Sequence, residues 1–217
     1  MIIAIDGPAG AGKSSVAKQL AKILKVSYLD TGAMYRALTL KALREKINLE
    51  DEDALLKLAH KTHIDLEAKN DGLKIFLDGK DVSEEIRSLE VTNNTFYIAR
   101  AGKVREVMVN WQRDIGGKKS LVAEGRDIGT VVFPNATMKF YLDATVEERC
   151  RRRVEELRAK GKIVDASKLM IEIKERDEKD FTRKVGPLKK AGDAVFIESS
   201  KMSVDQTVQE LLKYIKN

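Results

Sequence analysis

The chain has 217 residues, of which 34% are charged and 43% hydrophobic, and its formal net charge is +6. This length and apolar content suit one domain with a modest insertion and exclude a disordered protein. No apolar run approaches the roughly 18 residues of a membrane span, and the start MIIAIDG lacks the basic residues of a secretion signal. The single cysteine, Cys150, excludes an intramolecular disulfide. We therefore expect a cytoplasmic protein without a membrane partner.

Short apolar runs alternate with longer amphipathic segments through most of the chain, which is typical of strands followed by helices. In chain order the predicted elements are a strand at 2–5, a helix at 14–24, a strand at 26–29, helices at about 33–46, 51–60 and 90–116, strands at 121–123 and 138–142, a helix capped by Thr145 and Glu148, a strand at 194–197 and a last helix capped by Ser203 and Gln206.

A different pattern occupies about 63–90. Apolar and polar residues alternate there, and Asn70-Asp71-Gly72 and Asp78-Gly79 provide turn residues. This pattern predicts an antiparallel hairpin or small meander inserted in the chain. The remaining five apolar strands predict an α/β fold, a parallel five-stranded sheet with helices on both faces, whose ligands bind at the carboxyl ends of the strands.

The first strand is followed by GPAGAGKS at residues 7–14, which matches the pattern GxxxxGK[ST] of a P-loop. Glycines let the backbone N–H groups surround phosphates, and the start of a helix adds positive potential. Lys13 is expected to reach the β- and γ-phosphates, and the Ser14 hydroxyl to ligate Mg²⁺. The predicted binding residues for ATP with Mg²⁺ are Gly7, Pro8, Ala9, Gly10, Ala11, Gly12, Lys13, Ser14 and Ser15. GTPases, motor ATPases and small-molecule kinases all remain open on this motif alone.

Two further segments follow strands and therefore belong at the same sheet edge. DTGAMYR (30–36) and GRDIGT (125–130) each combine an arginine, a carboxylate, a hydroxyl and glycine. Arginine suits phosphate oxygens, and a carboxylate suits an amino or ribose donor, so a second anion site is expected. The alternative is structural: Asp30 caps a helix and Arg126 forms an ordinary surface salt bridge.

A third group of charges is predicted on one helix. The spacing of Arg176, Asp180 and Arg183 places all three on one face, either as part of the anion site or as a solvated face with an ion pair between i and i+4. Arginines also concentrate between Arg149 and Arg158, where a closing lid would bring them to a transferring phosphoryl group.

Taken together, GPAGAGKS, DTGAMYR, VREVMVNWQR, EGRDIGTVVFP and IKERDEKDFTR resemble, in order and spacing, the bacterial cytidylate kinases, a family of P-loop nucleoside monophosphate kinases. The resemblance covers essentially the whole chain. It implies a P-loop NTPase-type fold with a helical lid, and transfer of the ATP γ-phosphate to CMP or dCMP with Mg²⁺.

The resemblance also implies residue roles. Thr31, Arg36 and Arg126 should hold the acceptor phosphate or its surroundings, and Arg105 and Asp127 should recognise the cytosine edge. Asp180 should contact the ribose, with Arg176 and Arg183 on phosphates and Arg152 and Arg153 in the lid. The expected catalytic set is Lys13, Arg126, Arg152, Arg153, Arg176 and Arg183. Family members commonly carry serine at the position of Phe96, a departure that bears on selectivity for CMP over UMP.

The resemblance further implies a single kinase domain that acts as a monomer. Its core comprises 1–62, 91–148 and 170–217, the insertion at 63–90 binds the nucleoside monophosphate, and the lid occupies about 149–169. Two alternatives stay open: a P-loop kinase for another acceptor, such as UMP or a non-nucleotide alcohol, and a nucleic-acid-binding NTPase. The low aromatic content of 6% and the absence of a basic tail disfavour nucleic acid as a partner.

Overall fold

The structure is a computed structural model that describes residues 1–69, 72–159, 161 and 163–215. The predicted turn at Asn70-Asp71 lies outside these residues. By its internal contacts the chain divides into two compact units, one made of 1–26 with 122–217 and the other of 27–121.

Strands and helices alternate as the sequence pattern predicted. The strands are β1 (Ile2–Asp6), β2 (Ser27–Asp30), β3 (Ile64–Lys69), β4 (Gly72–Leu77), β5 (Lys80–Asp81), β6 (Leu121–Gly125), β7 (Met138–Asp143) and β8 (Val195–Glu198). The helices are α1 (Lys13–Leu24), α2 (Thr31–Arg44), α3 (Glu52–His60), α4 (Leu89–Arg100), α5 (Gly102–Lys118), α6 (Val146–Ala159), α7 (Ala166–Thr182) and α8 (Val204–Ile215). A 3₁₀ turn spans Glu85–Arg87 and a π-helical turn spans Ile128–Val132.

A parallel five-stranded sheet has the strand order β2-β6-β1-β7-β8, which confirms the predicted α/β class. β1 and β6 are almost wholly buried because their apolar residues lie inside the sheet. The last strand, predicted at 194–197, is present as β8. β8 is an edge strand in which Ile197 is buried, whereas Phe196 is 51% exposed and stacks on Tyr141.

In the second unit, β3, β4 and β5 form the antiparallel sheet predicted within 63–90. Leu66 pairs with Ile75 in the register that places apolar side chains on one face. Ile75 and Leu77 of this sheet pack with Ala37 of α2 and Val91 of α4 in one apolar cluster. The antiparallel sheet is therefore held by the helices beside it rather than by its own few strands.

Local side-chain bonds begin several helices. Ser203 and Gln206 form the complete predicted capping box, since each side chain bonds the other's backbone N–H. At Thr145 only one half is present: its hydroxyl accepts from the N–H of Glu148 at 3.3 Å, while the Glu148 carboxylate pairs with arginines.

Helices α6 and α7 pack through Cys150, Val154 and Ile173. The prediction that Arg176, Asp180 and Arg183 share one helical face was wrong in one respect. Helix α7 ends at Thr182, and Arg183 follows it in extended conformation. None of the helices in the described ranges is long and apolar enough to span a membrane.

Candidate active site

The P-loop connects β1 to α1, as predicted. Gly7 has a φ of 149°, and a Cβ there would overlap the carbonyl oxygen of Leu142. Gly12 caps α1 with a φ of 92°. Glycine is therefore the residue that these two turns accept without strain. The loop therefore has the tight backbone path that presents N–H groups to phosphates.

Lys13 lies at the start of α1 and is 5% exposed, with its Nζ donating to the carbonyl oxygen of Pro8 at 2.7 Å. Burial lowers the pKa of Lys13 to about 7, and the charge of Arg126 acts in the same direction. Glu124 and Asp180 oppose this shift. Lys13 is thus the centre of a group of charges contributed by distant parts of the first unit.

Arg126 and Asp180 form a close ion pair at the end of β6, with Nε and Oδ2 2.7 Å apart. Both side chains are less than one-fifth exposed, so the alternative of an ordinary surface salt bridge for Arg126 does not hold. Burial raises the pKa of Asp180, but the charges of Arg126 and Arg176 outweigh it and the net direction is downward. The carboxylate is therefore ionised and held beside two guanidinium groups.

Asp127 and Arg183 form a second buried pair, with Oδ1 and Nη2 3.6 Å apart. Arg183 also donates from Nε to the carbonyl oxygen of Gly186 and lies 4.0 Å from Asp180. Although Arg183 lies beyond α7, the structure still brings it to the predicted residues Asp127 and Asp180. The sequence spacing grouped Arg183 with Asp180, but it did not predict the pair of Arg183 with Asp127.

Sequence reasoning missed Asp6, the residue directly before the P-loop. Its carboxylate is 3% exposed and accepts the backbone N–H groups of Ile128 and Gly129, each at 2.7 Å. Burial raises the pKa of Asp6 to about 6, while these two hydrogen bonds lower it. An aspartate at the end of an otherwise apolar strand, next to Gly7, was the available signal.

The arginines of α6 divide into different roles. Arg149, predicted only as part of a run, is 3% exposed and forms a bidentate pair with Asp177 at 2.6 and 3.1 Å. It also donates to the carbonyl oxygens of Ala9 and Ala144. Arg149 is therefore a buried connection between the P-loop and α7.

Arg152 lies near the P-loop, whereas Arg153 pairs with a residue of its own helix. Arg152 donates to the carbonyl oxygens of Ser199 at 2.6 Å and Ala11 at 3.4 Å. Arg153 pairs with Glu156 on its own helix. The geometry thus links Arg152 to the phosphate loop, and leaves the role of Arg153 a prediction.

In the second unit, Asp30 caps α2 by accepting from the N–H of Ala33 at 2.8 Å. Its other oxygen lies 3.2 Å from Nη2 of Arg36. The structural alternative for Asp30 is therefore correct, and the cap also orients Arg36. Thr31, the first residue of the helix, is 4% exposed.

Arg105 is 2% exposed, and its guanidinium lies 5.5 Å from the ring centre of Tyr35. It donates to the carbonyl oxygen of Ala99 at 3.2 Å. Tyr35 belongs to the DTGAMYR segment but was not singled out from the sequence. Arg105, Thr31 and Arg36 all lie in the second unit, whereas the other predicted acceptor residues lie in the first.

The departure at Phe96 lies on α4. Phe96 packs edge-on against Tyr97, with ring centres 6.2 Å apart, and lies 5.5 Å from the guanidinium of Arg100. The neighbouring hydroxyl, that of Thr95, donates to the carbonyl oxygen of Val91 at 2.7 Å. Thr95 therefore uses its donor within the helix.

Ser14 and Ser15 are exposed at the start of α1. In the described part of the chain, no group of three His, Cys, Asp or Glu side chains lies together as a metal site. A metal ion at Ser14 would therefore take most of its ligands from water and substrate phosphates, which is how Mg²⁺ is usually held.

Solved structures that resemble the chain establish its fold. An uncharacterized protein from Eubacterium ventriosum is 17% identical with a TM-score of 0.54, covering 100% of this chain and 98% of the other. Shikimate kinase from Bacteroides thetaiotaomicron is 13% identical with a TM-score of 0.51, covering 100% and 99%. At these identities the likeness concerns the fold alone.

Relatives of known family resemble the chain much more closely. Cytidylate kinase of Desulforamulus reducens is 52% identical over 99% of this chain and 96% of its own length. Those of Caldanaerobacter subterraneus and Pelotomaculum thermopropionicum are 49% and 51% identical, over 99% and 97% of this chain and 94% and 93% of their own lengths. The family model described as cytidylate kinase matches residues 3–217. The chain belongs to the cytidylate kinase family.

Proposed function

We propose that the protein transfers the γ-phosphate of ATP directly to CMP or dCMP and forms CDP or dCDP. One observation carries this proposal beyond family membership. The charges that act on Lys13 of the P-loop come from Arg126, Glu124, Asp180 and Arg176, which lie far away in sequence. The charges of Arg126, Asp180 and Arg176, three residues expected at the acceptor, therefore act on the lysine of the phosphate loop.

The donor half of the site consists of the P-loop and the start of α1. Backbone N–H groups of residues 7–14 bind the ATP phosphates, and Lys13 stabilises negative charge on the transferring group. Mg²⁺, when bound at the Ser14 hydroxyl and the phosphates, supplies further charge neutralisation. Because the acceptor phosphate is already largely ionised near pH 7, the reaction needs no general base.

The acceptor half requires residues that recognise phosphate, ribose and base. Thr31, Arg36 and Arg126 bind the acceptor phosphate. Asp180 contacts the ribose, and Arg176 and Arg183 bind phosphates. Arg105 and Asp127 recognise cytosine, because a carboxylate accepts from the exocyclic amino group that uracil lacks. The buried position of Asp127 strengthens such discrimination, since an unpaired polar group there is costly.

Residues around 149–169 act as the lid, with Arg152 and Arg153 stabilising charge on the transferring phosphoryl group. Support for this comes from Arg152, which already lies against the P-loop carbonyl of Ala11. The insertion at 63–90 contributes to nucleoside monophosphate binding. Closure of the site on both substrates excludes water and suppresses hydrolysis of ATP.

The protein acts as a cytoplasmic monomer on small-molecule substrates, without a nucleic acid or membrane partner. A cytoplasmic location agrees with the use of ATP and with a single cysteine that remains a buried thiol. The basic surplus of six charges agrees with substrates that carry phosphate groups.

The test is ADP formation from Mg·ATP with CMP, dCMP, UMP, AMP or GMP, each against a reaction without acceptor. We expect high rates with CMP and dCMP, a low rate with UMP and almost none without acceptor. Lys13→Ala should reduce kcat by about 100-fold or more. Lys22→Ala, an exposed lysine on the same helix, is the matched control and should retain turnover.

Three outcomes would contradict parts of the proposal. Equal rates with CMP and UMP would show that the enzyme accepts both pyrimidine monophosphates, and would point to Phe96 as the cause of the lost selectivity. Activity that does not depend on any nucleotide acceptor would contradict the acceptor site as a whole. RNA binding with a steep dependence on salt would favour the nucleic-acid-binding NTPase instead.

A further inference from the structure

We propose that Asp6 is a positioning residue that places Asp127 and so sets the preference of the enzyme among pyrimidine monophosphates. The inference rests on the proposed function, in which Asp127 recognises cytosine. Asp6 itself contacts no reacting atom in this scheme. It acts through the backbone that follows Asp127.

The hydrogen bonds of Asp6 are directed at one short piece of chain. Oδ1 accepts from the N–H of Ile128 and Oδ2 from the N–H of Gly129, both at 2.7 Å. These are the two residues directly after Asp127. Two short bonds to one carboxylate fix both the position and the direction of this backbone.

Packing also restricts the same backbone. A Cβ at Gly129 would lie 3.1 Å from Cδ of Lys139 and 3.3 Å from Oδ2 of Asp6. Lys139 is itself held, since its Nζ bonds both carboxylate oxygens of Asp193 at 2.8 and 3.0 Å. The segment after Asp127 therefore packs closely against both Asp6 and the stem of Lys139.

Asp6 also has a fixed relation to the phosphate loop. It is the last residue of β1, its parallel pairing partner is Tyr141 of β7, and Gly7 follows it directly. A carboxylate anchored in the central strand thus relates the backbone at Asp127 to the start of the P-loop. This explains why a charged side chain occupies a buried strand end, where an apolar residue would otherwise be more stable.

The experiment is a double-mutant cycle on base selectivity. The quantity measured is the ratio of kcat/KM for CMP to that for UMP in the wild type, Asp6→Asn, Asp127→Ala and the double variant. Asparagine keeps the size of Asp6 but replaces one acceptor oxygen with a donor, so one of the two N–H groups loses its partner.

We expect Asp127→Ala to remove most of the CMP preference and Asp6→Asn to lower the ratio about tenfold. In the Asp127→Ala background, Asp6→Asn should leave the ratio unchanged, because the residue through which it acts is gone. A merely structural loss would lower the rates with CMP and UMP alike and leave the ratio constant. An unchanged ratio in Asp6→Asn, or an equal reduction in both backgrounds, would overturn the proposal.

Gly129→Ala tests the contact of Asp6 with the backbone at Gly129 without altering a charge. It replaces Asp6→Asn in the experiment if that variant does not fold. The added Cβ should displace the backbone by a few tenths of an ångström and lower the ratio in the same direction. Gly192→Ala, where a Cβ meets nothing within 4 Å, is the matched control and should behave as the wild type. A wild-type ratio in Gly129→Ala would also overturn the proposal.

These outcomes separate the inference from the function on which it rests. If the wild type phosphorylates no pyrimidine monophosphate, the proposed function fails. If it prefers CMP and the preference does not depend on Asp6 or Gly129, the function stands and only the positioning role fails.

Discussion

At the scale of single residues, Lys13 is a buried lysine that lies in the phosphate-binding loop. Its pKa of about 7 means that most of the side chains are neutral at pH 8 in the protein alone. Negative charge from bound triphosphate favours the ammonium form and raises this pKa again. Nucleotide binding should therefore take up more protons at pH 8 than at pH 6.

Calorimetry of ATP binding in two buffers with different ionisation enthalpies measures this uptake. In Lys13→Met, the binding enthalpy should lose the part of its difference between the two buffers that protonation of Lys13 contributes. The prediction fails if the wild type takes up no proton at pH 8, or if the variant takes up as many protons as the wild type.

At the scale of elements, one buried ion pair joins α6 and α7 in addition to their apolar contacts. Arg149→Met leaves the carboxylate of Asp177 buried without its bidentate partner and should lower the free energy of unfolding by about 3–5 kcal/mol. The double variant Arg149→Met with Asp177→Leu should recover part of this loss, because apolar residues replace both charges. Urea unfolding measures each value.

The control for this pair lies on the same helix. Arg151 pairs with Glu148 and Glu155, but it is 57% exposed, so Arg151→Met should change the free energy of unfolding by less than about 1 kcal/mol. Equal losses in Arg149→Met and Arg151→Met would show that burial of the pair does not matter.

Elements also show what could be predicted from the sequence and why. Strands such as β1 and β7 were predicted within one or two residues, because apolar runs and turn residues are local signals. The Arg149–Asp177 pair joins residues 28 positions apart, and the edge position of β8 depends on strand order. Neither leaves a local trace, so both required the structure.

The sequence likewise identified some residues of the candidate site and missed others. Lys13 and Asp127 were found from motifs, since a P-loop and a strand-end carboxylate have recognisable spacing. Asp6 was missed because its importance lies in two backbone N–H groups more than 120 residues away. A hydrogen bond to backbone leaves no matching side chain in the sequence to search for.

At the scale of the whole molecule, Asp6 links stability to pH. Burial raises its pKa from 3.8 to about 6, so between these values the folded protein binds more protons than the unfolded chain. The free energy of unfolding should therefore fall as pH rises from about 4 to about 6, by at most about 3 kcal/mol from this residue.

Urea unfolding of the wild type and Asp6→Asn at pH 4.5 and pH 7 checks this prediction. Other carboxylates contribute equally to both proteins, so the difference between them isolates Asp6. We expect the wild type to gain stability relative to the variant as the pH is lowered. Parallel pH dependence in the two proteins would contradict the raised pKa.

The backbone at Gly7 limits which mutations of codon 7 are compatible with the fold. Every amino-acid replacement reachable from a glycine codon by one nucleotide change adds a Cβ, and a Cβ at this position overlaps the carbonyl oxygen of Leu142. Only silent changes at the third base leave the turn intact. We therefore expect codon 7 to accept only synonymous substitutions. A change of side chain elsewhere cannot compensate, because the overlap is with a main-chain oxygen.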